Sequence, residues 1–250
     1  IDRMFERGGA FLGVKYPIVC GAMTWISDHR LVGAAAETGI FGLLAGGNAP
    51  VEALREEIEQ TRRVTAKPFG VNLTTLPPNY LDHLALATEM RVPTIVFAGA
   101  IPRATEITRA KDSGANVICF AATDVLAHRM IDQGADALML EGSEAGGHIG
   151  PVSLVVLLQQ ILFKVDNVPV FVAGGSARGQ MMAHLLMMGA AGVQMGTRFV
   201  MSEECTGWLT PVMFATNLEA QLYRGYDAFN QALRKRVEQE AGQVRPRDKS

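Results

Sequence analysis

The stretch Ala137-Leu138-Met139-Leu140-Glu141-Gly142-Ser143-Glu144-Ala145-Gly146-Gly147-His148-Ile149-Gly150 gives the strongest indication of how this 250-residue chain folds. Its first part is short and apolar, which predicts a buried strand. Its second part combines carboxylates, glycines and a histidine. Glycine lets a backbone approach a ligand closely, and histidine exchanges protons near neutral pH. The stretch therefore predicts a strand that ends in a ligand cradle with an acid–base group at its edge.

Seven more short apolar runs have the same form, each ending in glycine or another small or polar residue. They lie at residues 17–21, 41–46, 68–72, 94–99, 117–121, 170–174 and 192–196. Helical patterns separate them, for example at 28–37, where Ser27 is expected to be the N-cap. Strands that are apolar on both faces and alternate with helices predict an α/β fold of the (β/α)8 or TIM barrel type. A doubly wound open sheet is the alternative, although eight units in one chain favour closure.

Composition and charge narrow the functional class. The chain is 48% hydrophobic and carries a net charge of −2, which gives no reason to expect a nucleic acid or an anionic membrane as partner. No apolar run is long enough to span a membrane, and no signal peptide is visible. The three cysteines, Cys20, Cys119 and Cys205, are far apart in sequence. They predict neither a disulfide framework nor a metal site, and a cytoplasmic location is expected.

The unusual segments of the chain all follow predicted strands. In a TIM barrel the ligand binds at the carboxyl ends of the strands, so these segments are expected to meet on one face. They are residues 21–23, 46–48, 72–74, 122–123, 141–150, 173–175 and 196–197. Their convergence is stronger evidence for a site than any single motif.

Two glycine-containing loops predict a phosphate site. Residues 173–179 follow the seventh strand and residues 195–199 follow the eighth, where this fold often binds phosphate. Glycine N–H groups and a helix N-terminus suit such an anion. The alternative is a pair of tight turns that merely require glycine. Neither loop has the Gly-x-Gly-x-x-Gly pattern of dinucleotide binding or a Walker-type lysine.

Four polar residues near the predicted strand ends are candidates for chemistry. His148 follows a glycine-rich cradle and is predicted to act in proton transfer, the alternative being a structural histidine. Glu141 and Glu144 form either an acid–base pair or a set of ligands for ribityl hydroxyls, a cation or backbone N–H groups. Asn72 ends an apolar strand, where burial without a partner is costly, so a polar ligand edge or a neighbouring loop is expected beside it.

Six segments of the sequence, in this order, resemble one flavin-dependent barrel family. That family contains the nitronate monooxygenases, formerly 2-nitropropane dioxygenases, and the flavin type of enoyl-acyl carrier protein reductase. The resemblance covers about residues 10–205, and the matching segments are residues 21–25, 46–50, 67–72, 141–150, 173–175 and 196–199.

The resemblance implies FMN as the cofactor. It implies a flavin ring against residues 21–23 and a phosphate between the seventh and eighth strands, with His148 as the family's catalytic histidine on the substrate side. The implied cofactor-binding residues are Gly21, Ala22, Met23, Asn72, Thr74, Glu141, Gly146, Gly147, Ala173, Gly174, Gly175, Gly196 and Thr197.

The resemblance implies an oxidoreductase with a small-molecule substrate. The first activity is oxidation of alkyl nitronates through the flavin and O2. The alternative is enoyl-acyl carrier protein reduction with NADH or NADPH as the electron donor. A flavin-binding module without turnover and a flavin-free barrel enzyme acting on a sugar phosphate are further alternatives. A homodimer stays open as the assembly.

The chain is predicted to divide into three parts. Residues 1–205 form the FMN-binding barrel, residues 206–243 a short or incomplete C-terminal helical region, and residues 244–250 a flexible tail. Members of the family usually continue for some 60 or more residues beyond Cys205. Either the lid is reduced here or the sequence lacks residues.

Overall fold

Eight parallel strands form a closed barrel in a computed structural model, which describes residues 2–47, 49–147 and 149–205. Each strand pairs with the next along the chain, and β8 pairs with β1 to close the barrel. The predicted TIM barrel is confirmed, and the open-sheet alternative is wrong. The strands are β1 (Ile18–Cys20), β2 (Phe41–Ala45), β3 (Phe69–Thr74), β4 (Thr94–Ala98), β5 (Asn116–Ala121), β6 (Ala137–Glu141), β7 (Val170–Ala173) and β8 (Gly192–Met195).

Helices connect the strands and cover the outside of the barrel. Five of them end at glycines with positive φ, Gly13, Gly39, Gly114, Gly134 and Gly189, as is typical of helix C-termini. The helices are α1 (Asp2–Leu12), α2 (His29–Glu37), α3 (Val51–Val64), α4 (Tyr80–Glu89), α5 (Ala104–Asp112), α6 (Asp124–Asp132), α7 (Leu154–Ile161), α8 (Gly179–Met187) and α9 (Thr197–Val200).

The N-cap of α2 differs from the prediction. Asp28, not Ser27, accepts hydrogen bonds from the backbone N–H groups of Arg30 and Leu31. Ser27 is used one step earlier, because its hydroxyl donates to the carbonyl of Gly21 at 2.8 Å and accepts from the N–H of Met23 at 2.9 Å. Ser27 therefore stabilises the loop after β1 and not the helix itself.

The hydrophobic core has two layers separated by the sheet. The outer layer packs strands against helices, and the inner layer fills the barrel with residues such as Phe41, Met139 and Phe171. Helix α1 closes the amino-terminal end of the barrel, where the ring of Phe11 lies 5.9 Å from that of Phe171. One end of the barrel is thus closed by apolar packing, which leaves the carboxyl end of the strands for a ligand.

The predicted C-terminal parts, residues 206–243 and 244–250, lie outside the described residues. Among the residues that are described, none of the helices combines the length and the apolar character that a membrane span requires.

Candidate functional site

Besides Thr74, which ends β3, three polar side chains face into the carboxyl end of the barrel. Side chains alternate between the two faces of a strand, and Val71, Met139 and Val193 show which face is which. Val71 and Val193 belong to the outer layer, and Met139 belongs to the inner one. Asn72 and Gln194 directly follow the two outward-facing valines and therefore point inward. Glu141 lies two residues after Met139 and so faces inward as Met139 does. We call these three residues the polar ring.

Except on β5, where the inward residue is Phe120, small residues separate the members of the polar ring. By the same alternation, the inward positions at the ends of β2, β4 and β7 are Ala45, Ala98 and Ala173, and the position after β1 is Gly21. Ala22 packs against the inner hydrophobic layer just below. Small residues leave room above the apolar core. The arrangement fits a flat ligand that presents polar edges to the ring and rests on apolar groups.

Gln194 is the member of the polar ring that sequence reasoning missed. Its side-chain carbonyl is buried and has no hydrogen-bond partner within the described residues. Its side chain lies against Gly21, where a Cβ atom would come within 3.0 Å of it. An unpartnered buried carbonyl costs about 1–3 kcal/mol, so the site is incomplete without a donor. The signal in the sequence was one polar residue inside an apolar strand.

Glu141 is half-buried at the end of β6, and its environment favours the protonated acid. Desolvation raises the pKa of its carboxyl from 4.5 to about 7. A carboxyl with that pKa donates a hydrogen bond in slightly acidic solution and accepts one in slightly basic solution. It can also exchange a proton with a bound molecule near neutral pH.

Glu144 has a structural role, which separates it from Glu141. Its carboxylate accepts a hydrogen bond of 2.8 Å from the N–H of Leu154, the first residue of α7. Negative charge at a helix N-terminus is favourable. Its aliphatic part also packs beside Gly175. The interpretation of Glu141 and Glu144 as an acid–base pair therefore has support only for Glu141.

The loop after β6 folds over the loop after β7. Gly174 has a φ of +92°, and a Cβ atom there would lie 2.8 Å from the backbone of Ala145. Gly175 also has a positive φ, of +66°. By contrast, a Cβ atom on Gly146 or Gly147 would meet nothing within 4 Å. The glycines of the first group are required by packing, whereas Gly146 and Gly147 leave open space beside the site.

The loop after β1 spans the distance between the β8 end and the β2 side of the site. The sulfur of Met23 would lie 3.4 Å from a Cβ atom on Gly196, just before Thr197 and α9. Trp25, two residues after Met23, has a φ of +66° and is 61% exposed. Thr74, at the end of β3, lies beside Gly47.

The sequence-predicted cofactor residues that the structure describes all lie at this end of the barrel. They are the inward-facing residues and the loops that follow β1, β3, β6, β7 and β8. His148, the predicted catalytic residue, lies outside the described residues. Within the described part of the chain, no group of three or more His, Cys, Asp or Glu side chains is placed to hold a metal ion.

Comparison with known proteins gives relatives of several kinds. A Mycobacterium tuberculosis protein named (3aS,4S,5R,7aS)-5-hydroxy-7a-methyl-1-oxo-octahydro-1H-indene-4-carboxyl-CoA dehydrogenase is 38% identical, over 78% of this chain and 55% of its own length. The structure of FabK from Thermotoga maritima is 39% identical with a TM-score of 0.76, over 79% of this chain and 63% of that one.

A nitroalkane oxidase from Streptomyces ansochromogenes is also similar in structure. It is 29% identical with a TM-score of 0.73, over 76% of this chain and 68% of that one. The present chain spans just over half the length of the curated Mycobacterium tuberculosis relative. The sequence model of the nitronate monooxygenase family matches residues 6–210. The chain therefore belongs to the nitronate monooxygenase family.

Proposed function

We propose that this chain is the cofactor-binding barrel of an FMN-dependent oxidoreductase. The observation that carries the proposal is the polar ring of Asn72, Glu141 and Gln194 at the open end of an otherwise apolar barrel. Gln194 lacks a hydrogen-bond donor there, and the pKa of Glu141 is raised to about 7 by burial. An isoalloxazine ring offers N–H donors and carbonyl acceptors on one edge, which matches both groups.

The residues around the polar ring fit the rest of FMN. Backbone N–H groups for a phosphate come from two loops. One is the loop after β7, where Gly174 and Gly175 have positive φ, and the other is the start of α9 at Thr197, after β8. The open positions at Gly146 and Gly147 leave space along the ligand. Met23 lies between the β1 and β8 loops, where an apolar side chain would contact a flat ring.

In this proposal the protein binds and orients, and FMN when bound supplies the redox chemistry by taking up or releasing two electrons. Gln194 and Asn72 fix the orientation of the ring edge through hydrogen bonds. Glu141 holds or releases a proton at its carboxyl oxygen according to pH. His148 is the group proposed to exchange a proton with the substrate, or to balance its charge, because it follows the glycine cradle of residues 141–147.

The comparisons support two candidate substrate classes. An alkyl nitronate is supported by the family match over residues 6–210 and by the similarity to a nitroalkane oxidase. An acyl thioester is supported by the 38% identity to a protein named as a carboxyl-CoA dehydrogenase. Both substrates carry an electron-withdrawing group next to the carbon that changes oxidation state, so one site could serve either.

The visible spectrum of the purified chain tests the cofactor. We expect flavin absorbance, either as isolated or after addition of FMN. A chain that binds no FMN in either case would overturn the proposal. With flavin bound, anaerobic bleaching by a nitronate supports nitronate oxidation, whereas bleaching by NADH or NADPH followed by turnover of an enoyl thioester supports the reductase reaction.

The role of His148 requires a separate test. Substituting His148→Ala should lower turnover by at least tenfold while FMN stays bound, since general acid–base groups contribute roughly 100-fold or more to rate. Unchanged turnover with bound flavin would remove His148 from the mechanism.

A further inference from the structure

A cavity of about 220 Å³ lies beside the polar ring, on the β2 side of the loop after β1. Its walls come from residues 24–28, from Ala45 at the end of β2, and from the first two turns of α3. Ala45 also belongs to the small residues of the barrel mouth, so the cavity adjoins the proposed flavin site. A dry apolar cavity of about 150 Å³ accepts a benzene-sized molecule. There is thus room for a ring or a short chain.

Trp25 forms one wall of the cavity in a strained conformation. The N–H of Ile26 bonds to the carbonyl of Met23, which makes Trp25 the third residue of a tight turn. A positive φ at that position favours glycine or asparagine, and a bulky residue there is an outlier. Trp25 is also 61% exposed, so core packing among the described residues does not explain it.

The other walls are held in place by buried polar groups. The carbonyl of Ala49 accepts hydrogen bonds from His83 at 2.9 Å and from Asn79 at 3.2 Å. His83 is only 1% exposed, so this contact is well shielded from water. On the opposite side, the hydroxyl of Ser27 fixes the loop after β1. The cavity is therefore a preformed feature of the fold.

The chemistry of the walls selects an uncharged apolar occupant. Ile26, Ala49, Ala53 and Leu54 contribute apolar surface. The two carboxylates at the edge are already engaged. Asp28 caps α2 and pairs with Arg30. Glu57 accepts from the backbone N–H of His29 at 2.7 Å. No lysine or arginine is among the described residues that line the cavity, so an anionic group would meet these carboxylates without a cation to balance it. A hydrocarbon group would contact the apolar walls and leave both engaged carboxylates undisturbed, with the Thr24 hydroxyl as the one further polar side chain besides Ser27 among these lining residues.

We propose that Trp25 and this cavity form the subsite for the hydrocarbon part of the substrate, a ring or a short alkyl chain. The inference rests on the proposed function, in which the reacting carbon lies at the neighbouring polar ring. Met23 reaches toward β8, and Trp25 lines the cavity toward β2. The reacting group and the hydrocarbon group therefore bind on either side of one short loop, and any anionic carrier group lies away from Asp28 and Glu57.

Chain-length dependence of binding tests the subsite directly. Two neutral thioesters, S-butanoyl- and S-hexanoyl-N-acetylcysteamine, differ by two methylenes, and their dissociation constants are measured by calorimetry. Burial of two methylenes should make the hexanoyl compound bind roughly tenfold more tightly. We call the quotient of the two dissociation constants, butanoyl over hexanoyl, the chain-length ratio. Ala53→Phe places a ring in the cavity from α3 and should reduce the chain-length ratio to below about threefold. Ala183→Phe, an exposed alanine on α8, is the matched control and should leave the ratio unchanged.

Trp25→Gly separates binding from folding. Glycine adopts a positive φ without strain, so the melting temperature should stay the same or rise while the chain-length ratio falls as in Ala53→Phe.

In a Trp208→Phe variant, Trp25 is the remaining tryptophan of the two in the chain. Its fluorescence should be quenched by acrylamide in the free protein and protected by the hexanoyl compound.

Several results would overturn the subsite. They are equal binding of the two thioesters by the unmodified chain, an unchanged ratio in Ala53→Phe and Trp25→Gly, a lower melting temperature in Trp25→Gly, or an indole already shielded from acrylamide without ligand. Flavin content, read from the visible spectrum of each sample, keeps the two proposals apart. A tenfold ratio without flavin binding refutes the proposed function alone, and bound flavin without the ratio refutes the subsite alone.

Discussion

Replacement of Glu141 by glutamine should stabilise the flavin-free chain in basic solution and leave it unchanged in acidic solution. Burial raises the pKa of Glu141 from 4.5 to about 7, so the folded state prefers the protonated form. Stability from this group is therefore fully present below about pH 4.5 and is lost progressively as the pH rises from 4.5 through about 7. Glutamine has nearly the same shape and stays neutral throughout.

The size of the effect follows from the pKa and the exposure of the side chain. Each pKa unit corresponds to about 1.4 kcal/mol, which sets an upper limit of about 3 kcal/mol for full burial. Glu141 is half-buried, and solvent screening reduces the effect to about 1–2 kcal/mol. We therefore expect Glu141→Gln to raise the free energy of unfolding by about 1–2 kcal/mol at pH 8 and by less than about 0.5 kcal/mol at pH 5.

Urea denaturation of the flavin-free chain at the two pH values measures this difference. Glu52→Gln is the control, because the Glu52 side chain is 85% exposed and an exposed charge contributes little to stability. Equal stabilisation by Glu141→Gln at both pH values, or a loss of stability at pH 8, would show that desolvation of Glu141 is not what the structure implies.

Three further substitutions test the loops and the polar ring, each by urea denaturation. Gly174→Ala should destabilise the chain by about 2–4 kcal/mol, because Gly174 has a positive φ and an added Cβ atom would meet the backbone of Ala145. The control is Gly179→Ala, where the added Cβ atom meets open space, and it should change stability by less than about 0.5 kcal/mol. Glu144→Ala should cost about 1 kcal/mol by removing the hydrogen bond to the start of α7. Gln194→Leu should stabilise the flavin-free chain by about 1 kcal/mol, since an unpartnered carbonyl is removed. The same variant should weaken FMN binding roughly tenfold in a fluorescence titration. An equal loss of stability in both glycine variants, an unchanged Glu144→Ala variant, or unchanged FMN affinity in Gln194→Leu would contradict the corresponding argument.

The barrel could be predicted because its signals are local. Each strand is a short apolar run that stops at a small residue, and the predicted strand limits differ from those observed by one or two residues, as for residues 68–72 against Phe69–Thr74. Helix α1 was not predicted, since it lies outside the strand–helix repeat. Its function depends on contact with Phe171 across the barrel, and periodicity along the chain carries no information about that partner.

The site was less predictable than the fold, because its polar groups are distinguished by partners far away in sequence. Glu141 and Glu144 look equivalent in the sequence. Only the folded chain brings Leu154 to Glu144 and leaves Glu141 facing the barrel mouth. In the same way, Ser27 and Asp28 are both good N-cap residues. The tight turn after β1 engages the Ser27 hydroxyl, so Asp28 becomes the cap.

The polar ring lies on strands, whereas the cavity is lined by a loop and a helix. This division explains how one barrel can be shared by relatives that are named for different reactions. Asn72, Glu141 and Gln194 lie on strands, whose positions are set by the closed sheet. Trp25 and Ala53, in contrast, come from a loop and a helix outside the sheet. In TIM barrels the segments after the strands can vary while the barrel is retained. The strand residues are therefore expected to determine which cofactor binds, and the cavity wall between the β1 loop and α3 is expected to determine which hydrocarbon group is accepted.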